Sequence, residues 1–363
     1  MTRTLFPTRS VLVACTTVLA LSLTATRASA QPATSEPWAV EAVVSGSADS
    51  HGFDDPFFLF DVTGTGRVRE GLDIIVRPYA HRLTGGDWTF EMYQLQVRYV
   101  APIRVPLRFD AGILASPLGL NTLELVPSKN PTVGAPFFYF APLPRFDARY
   151  EGVQLISGGY PLGAIASSSG AHWDARAGIT DQSPTRKRNV FGSQAPDAEL
   201  QVLAGGGYTP VAGARVGASF ARGAYRKSPA IPQPSAVAGT DATMVTVEGE
   251  YAIGYTRVTG EWIRDAFDAT GEPAVARGFS LMATRTLTPR WFIAGRANRV
   301  SSPVITPALD RIRQAASSGE ATVGYRLNPD VSLRAAYQMS RWFGVEPWDR
   351  AFVMSAVWAR RWN

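Results

Sequence analysis

Apolar and polar residues alternate one for one along much of the chain. Val105, Leu107, Phe109, Ala111 and Ile113 interleave with Arg104, Arg108, Asp110 and Gly112. Trp173, Ala175, Ala177 and Ile179 interleave with His172, Asp174, Arg176 and Thr180. Val331, Leu333, Ala335, Tyr337 and Met339 interleave with Ser332, Arg334, Gln338 and Ser340. A period of two predicts β-strands with one apolar face, and helical periodicity is scarce. Such strands suit a soluble sandwich as well as a barrel, so the connections discriminate. Short turns are predicted at 63–66, 101–104, 160–163, at Thr209 and Pro210, at 252–254, at Thr288 and Pro289, and at 328–330. Between them fall mostly longer, polar loops at 46–55, 81–87, 116–147, 182–197, 223–241, 265–276, 301–317 and 342–348. Strict alternation of short turns with longer loops is the rhythm of an outer-membrane β-barrel. The prediction is an all-β transmembrane antiparallel barrel of about sixteen strands, with fourteen the nearest alternative. Sixteen strands leave a water-filled interior, because barrel diameter grows with strand number.

Composition narrows the class. The chain is 45% apolar and 11% aromatic, which excludes a disordered polypeptide. One Cys excludes a disulfide framework and the multi-Cys zinc patterns. With three His in all (His51, His81, His172), a His-built metal site is not expected, and no cofactor motif is present. Residues 153–171 carry no charge, yet Gly158, Gly159, Pro161, Gly163 and the serines at 167–169 interrupt them too often for a spanning helix. Aromatics including Trp88, Phe90, Tyr99, Trp262, Trp291, Tyr325 and Trp348 fall near the expected strand ends, as interfacial girdles require.

Residues 1–30 read as a cleaved secretory signal. Arg3 and Arg9 precede an apolar stretch at 11–23, and Ala28, Ser29 and Ala30 offer a small-residue cleavage site. A competing lipoprotein box at Leu12, Val13, Ala14 and Cys15 has only four apolar residues in and before it, too few for a hydrophobic region. Removing 1–30 removes three Arg and no acid, so the net charge falls from +6 to +3. That takes away the main support for a nucleic-acid partner. Residues 31–363 are then expected to form a single barrel domain.

With these features the chain resembles a Gram-negative outer-membrane porin of the sixteen-stranded type. The signal and the turn–loop rhythm carry the likeness first. The last strand, Asp349–Trp362, carries it second: its apolar set Phe352, Met354, Ala356, Trp358 and Trp362 is similar to the C-terminal signal such barrels present to the outer-membrane assembly machinery. The family usually ends in an aromatic, whereas here Trp362 is penultimate and Asn363 last, and Arg360 interrupts the apolar face. The long loop at about 116–147 carries it third. It is the third external loop by count, apolar and Pro-rich through Pro136, Phe137, Phe138, Tyr139, Phe140, Pro142 and Pro144. The resemblance implies that this loop folds inward and narrows the lumen. It also implies passage of small hydrophilic solutes or anions, contact with outer-membrane lipid, no enzymatic activity and a possible homotrimer.

If the apolar set faces lipid, the polar set lines water. That places Asp73, Arg77, Gln94, Gln96, Arg98, Arg104, Arg108, Asp110, Asp174, Arg176, Glu199, Gln201 and Arg215 in the lumen. Glu248, Glu250, Arg257, Glu261, Arg296, Asn298, Glu320, Arg326 and Arg334 join them. Arg77, Arg98, Arg104 and Arg108, with Asp110, lie on the third to fifth strands beside the long loop, whose Glu124 and Lys129 supply further charge. Fixed charge at a constriction selects solutes by sign, and a weak anion preference is expected. Two other classes share parts of this pattern. His172, Asp174 and the serines at 167–169 invite a barrel hydrolase, but no nucleophile elbow accompanies them. A soluble periplasmic or secreted all-β binding protein shares the alternation but has no reason for the turn rhythm.

Overall fold

The computed structural model describes residues 38–50, 57–82, 85–103, 106–115, 118–119, 126–134, 161–181, 200–224, 241–268, 272–305, 311–341 and 347–363. The expected signal at 1–30, Arg104, Glu124 and Glu199 lie outside them. Sixteen strands follow one another: β1 Trp38–Asp49, β2 Phe57–Arg69, β3 Leu72–Arg82, β4 Trp88–Ala101, β5 Leu107–Ile113, β6 Leu162–Ser169, β7 Trp173–Thr180 and β8 Gln201–Val211. The second half comprises β9 Ala214–Ala224, β10 Asp241–Ile253, β11 Thr256–Phe267, β12 Ala274–Thr286, β13 Trp291–Ile305, β14 Arg311–Arg326, β15 Val331–Arg341 and β16 Asp349–Trp362. Each strand pairs with its neighbours in sequence, and β1 pairs antiparallel with β16 to close the barrel. Closure leaves no unpaired edge.

The two faces have opposite characters. On β10, Ala242, Met244, Thr246 and Glu248 are buried while Val247, Tyr251 and Ile253 are exposed. On β12, Ala276, Ser280 and Met282 are buried while Phe279 and Leu281 are exposed. Large apolar side chains therefore cover the outside, and most charged side chains on the strands point inward. This is the reverse of a soluble sandwich, whose apolar face is hidden between its sheets.

Several predicted boundaries move. The turn expected at 63–66 lies instead at Glu70 and Gly71, where Gly71 has φ +74°. Gly66 is a strand residue facing Trp38, and a Cβ there would collide with the indole. The turn expected at 160–163 falls at 170–172, where the Gly170 N–H donates to the Trp173 carbonyl at 2.8 Å; Leu162 and Gly163 belong to β6. The turn expected at Thr209 and Pro210 is shifted to Ala212 and Gly213, the latter at φ +85°. The loop expected at 301–317 is mostly strand, because β13 and β14 stay in register out to Ile305 and Arg311. The connection between Ile113 and Leu162 is correspondingly longer than the predicted loop. Pro78 sits where the β3–β4 register slips, the position at which a strand tolerates a residue without an N–H.

Candidate pore-lining site

On the β2–β5 side of the barrel, guanidinium groups meet carboxylates across strands. Arg77 Nε donates to Asp61 Oδ1 at 2.8 Å and its Nη2 to Oδ2 at 2.6 Å, a bidentate pair in which both residues are buried. The slip at Pro78 leaves Tyr93 as the extra residue of β4. Its ring stacks on Tyr79 with centroids 4.0 Å apart and lies 5.5 Å from the Arg77 guanidinium. Arg98 and Arg108 share one carboxylate: Arg98 Nε reaches Asp110 Oδ1 at 2.8 Å, and Arg108 Nε reaches Oδ2 at 2.7 Å. Gln96 Nε2 adds a bond to Oδ1 at 3.1 Å. Two guanidiniums on one carboxylate leave local positive charge at this wall.

A second network crosses β7–β11. Arg215 on β9 donates to both Asp174 oxygens on β7, at 2.9 and 3.0 Å, and to Glu248 Oε1 on β10 at 2.7 Å. Its side chain spans β8, and it can do so because β8 offers Gly207 there; a Cβ at 207 would strike the guanidinium. Arg176 donates to Ser219 Oγ at 2.7 Å and lies 3.8 Å from Glu248. Arg257 pairs with Glu250 at 2.6 Å.

The third network joins the long connection to β13–β15. Glu320 accepts the backbone N–H groups of Val133 at 2.6 Å and Gly134 at 2.9 Å. Arg296 donates to the Gly134 carbonyl at 2.7 Å and to Asn130 Oδ1 at 3.0 Å. Arg334 donates to the Thr132 carbonyl at 3.0 Å and the Pro127 carbonyl at 2.6 Å. Asn130 and Thr132 bond to each other and to Gly134, which fixes the segment's own shape. A turn beginning at Val126 carries Lys129, whose N–H donates to the Val126 carbonyl at 2.9 Å. Val126 itself packs with Val43 on β1 and Val357 on β16.

Earlier in the same connection, Leu114 and Leu118 cluster with Ile165, Leu203, Ala221, Met244, Ile263, Ala276, Val300 and Ala316. These wall residues share the inward parity of the charged networks. The sequence expectation that the inward set is polar therefore fails along this arc. Apolar side chains face inward because the connection supplies apolar partners for them.

The charged residues expected in the lumen from Asp73 to Arg334 lie on the inward parity wherever they are described. Their grouping differs from the expectation: Arg77 pairs with Asp61, Arg98 and Arg108 meet at Asp110, and the 126–134 segment takes its charged contacts from Arg296, Glu320 and Arg334. Asp61 escaped notice because the preceding Phe57, Phe58, Leu59 and Phe60 hide the alternation. An acid ending such an apolar run was its one signal. The glycine run at 205–207 was the unread signal for the Arg215 crossing. His172 sits at the 170–172 turn with its Nδ1 3.0 Å from the Thr209 carbonyl, while Asp174 is engaged by Arg215.

No protein-family model matches the chain, and no curated protein matches its sequence. Solved structures do match. Salmonella typhi OmpF, in complex with daunomycin, aligns at TM-score 0.55 with 10% identity, over 89% of this chain and 97% of that one. In-vitro folded OmpT, an outer membrane protein of Vibrio cholerae, aligns at TM-score 0.55 with 12% identity, over 89% and 96%. The anion-selective porin from Comamonas acidovorans aligns at TM-score 0.52 with 12% identity, over 90% and 98%. Near-complete coverage of both partners means that the whole barrel is shared and not one hairpin repeat. Closed, antiparallel and sixteen-stranded, with its charge turned inward, the chain has the fold of a general outer-membrane porin.

Proposed function

We propose that the chain is an outer-membrane porin, a passive diffusion channel for small hydrophilic solutes and ions. The observation that carries this reading is the inverted wall, with exposed Phe, Trp, Leu and Val outside and paired charges inside. Such a wall is at rest only with hydrocarbon around it and water within. The 126–134 segment is the proposed constriction, held from one side by Arg296, Glu320 and Arg334. The preference is for anions and is weak. Lys129, Arg296 and Arg334 outnumber Glu320 at the segment, and Arg98 and Arg108 outnumber Asp110 opposite, but most other inward charges are balanced. No catalytic role is assigned to His172, and no cofactor is needed for diffusion. Export through the signal at 1–30, insertion by the outer-membrane assembly machinery through β16 and assembly as a homotrimer complete the proposal. A structure of Vibrio cholerae OmpT is described as a trimer form.

The test is single-channel recording of detergent-purified protein in a planar bilayer, with heat-modifiable gel migration as proof of folding. Discrete conductance steps and a salt-gradient reversal potential of anionic sign are expected. Folded protein that gives no steps refutes the channel, and clear cation selectivity refutes the anion preference.

A further inference from the structure

Inward charge on the described strands nearly balances in sum, but it is unevenly placed along the barrel axis. Within three residues of the short-turn ends, arginine is in surplus in each of three sectors of the wall. On β2–β5, Arg67, Arg98 and Arg108 meet Asp73 and Asp110. On β7–β11, Arg176, Arg215 and Arg257 meet Asp174 and Glu250. On β14–β16, Arg326, Arg334 and Arg361 face only Glu41 of β1, which lies directly opposite Arg361. Arg326 belongs to the inner face because its guanidinium lies 4.9 Å from the ring of Phe292, which itself covers Gly324.

Halfway up the wall the signs match: Arg77, Arg296 and Lys129 stand against Glu248, Glu261 and Glu320. Beyond that level the described inward strand residues include Asp49, Asp61, Glu91 and Asp349 and no Lys or Arg. Asp61 and Glu91 share one row, both directly opposite Tyr79, and Arg77 reaches up to Asp61 from below. Asp265 stands at this height too, but it has no exposed surface and lies between Met244 and Ala276, away from the water path. The connections at this end keep the sign. They carry thirteen Asp or Glu against eight Lys or Arg, Lys129 included, whereas the short turns carry two of each. The arginines of the long-connection rim, Arg277 and Arg350 among them, stand on the outward parity, across the wall from the lumen.

We propose that the lumen rectifies ion current: its short-turn mouth favours anions, its long-connection mouth favours cations, and the two act in series. Fixed charge lining a water path concentrates counter-ions there. With the long-connection side positive, cations enter by the acidic mouth and anions by the basic one, so salt accumulates between them and the current rises. With that side negative, each ion first meets the mouth that repels it, the lumen is depleted and the current falls. No moving part is required. The proposal rests on the barrel being a channel as described above, and it gives that channel a direction.

The test uses the full-length mature protein carrying Ala212→Cys, a single thiol in a short turn, inserted into a planar bilayer from one chamber. A polyethylene glycol maleimide too large to pass the pore, added afterwards to one chamber, shows by its reaction which chamber the short turns face. In about 0.1 M KCl the current should be about twofold larger with the long-connection side positive; in about 1 M KCl, where the screening length shrinks from about 10 Å to about 3 Å, the ratio should fall toward one. Arg257→Gln/Arg326→Gln and Asp49→Asn/Asp349→Asn should each bring the low-salt ratio part of the way to one, and all four together should bring it close. Arg277→Gln/Arg350→Gln, on the outward face, should leave it unchanged. Each substitution is also recorded alone, so that a combination failing to fold still leaves single variants, with a smaller shift, to decide. A symmetric current in the oriented protein at low salt, a larger current at the opposite polarity, or an unchanged ratio in the folded fourfold variant overturns the proposal while conductance steps persist. Folded protein that gives no steps overturns the channel reading itself.

Discussion

Glu320 is the most informative residue to remove. Its Oε1 accepts Val133 N–H and Thr322 Oγ1, both at 2.6 Å, and its Oε2 accepts Gly134 N–H at 2.9 Å and Gln338 Nε2 at 3.1 Å. Glu320→Ala deletes both bonds to the 126–134 backbone and strips the countercharge from Arg296 and Arg334. A hydrogen bond to a charged group contributes about 1.5–3 kcal/mol. Two at the lower end total about 3 kcal/mol, or roughly 150-fold in the ratio of attached to detached segment. The four bonds donated by Arg296 and Arg334 remain, so the segment loosens without being released. Single-channel recording should show a raised mean conductance with flicker between two levels. Because Cys15 is the chain's one cysteine and lies in the expected signal, Lys129→Cys gives the mature protein a single thiol. Its labelling by a bulky maleimide should accelerate markedly in the Glu320→Ala background. Glu320→Gln, which keeps one acceptor, should fall between. Unchanged conductance and labelling in folded Glu320→Ala would refute the idea that this carboxylate holds the constriction.

Two further outcomes follow from the wall. Asp61→Ala leaves the buried Arg77 guanidinium without its bidentate partner, and removing one member of such a pair costs about 3–5 kcal/mol. The urea midpoint followed by tryptophan fluorescence should fall accordingly, and a midpoint within error of wild type contradicts the reading. Asp110→Asn removes the carboxylate shared by Arg98 and Arg108, so the reversal potential should move toward anions, whereas Arg108→Gln should move it toward cations; a common direction for both would exclude a local electrostatic origin.

The fold was legible in the sequence because an apolar outer face and a largely polar inner face impose a period of two, and because turn residues at 252–254 and 328–330 lie where the hairpins reverse. Glycine misled where it serves packing and not reversal: Gly66 makes room for Trp38, and Gly163 pairs within β6 and β7. Which strand residues point inward could be read wherever charged and apolar positions alternate cleanly, and not at Asp61 behind its aromatic run or along the apolar inward arc from Ile165 to Ala316. Which of them touch could not. Arg215 reaches Asp174 across a whole intervening strand, and the 126–134 segment lies against walls nearly two hundred residues later in sequence. Such meetings depend on barrel diameter and on the path of the connection, and neither leaves a local pattern.

The apolar arc beneath the long connection bears on the order in which the molecule comes together. Leu114 and Leu118 rest against residues drawn from strands as distant as β6 and β14, so no single hairpin presents more than a small part of their resting place. Contacts between remote parts of a chain form slowly, after the intervening segments have been ordered. The connection therefore settles late, when a long run of neighbouring strands has already paired. A wall stalled a few hairpins short leaves both leucines in water, which makes their burial a chemical signature of a finished barrel.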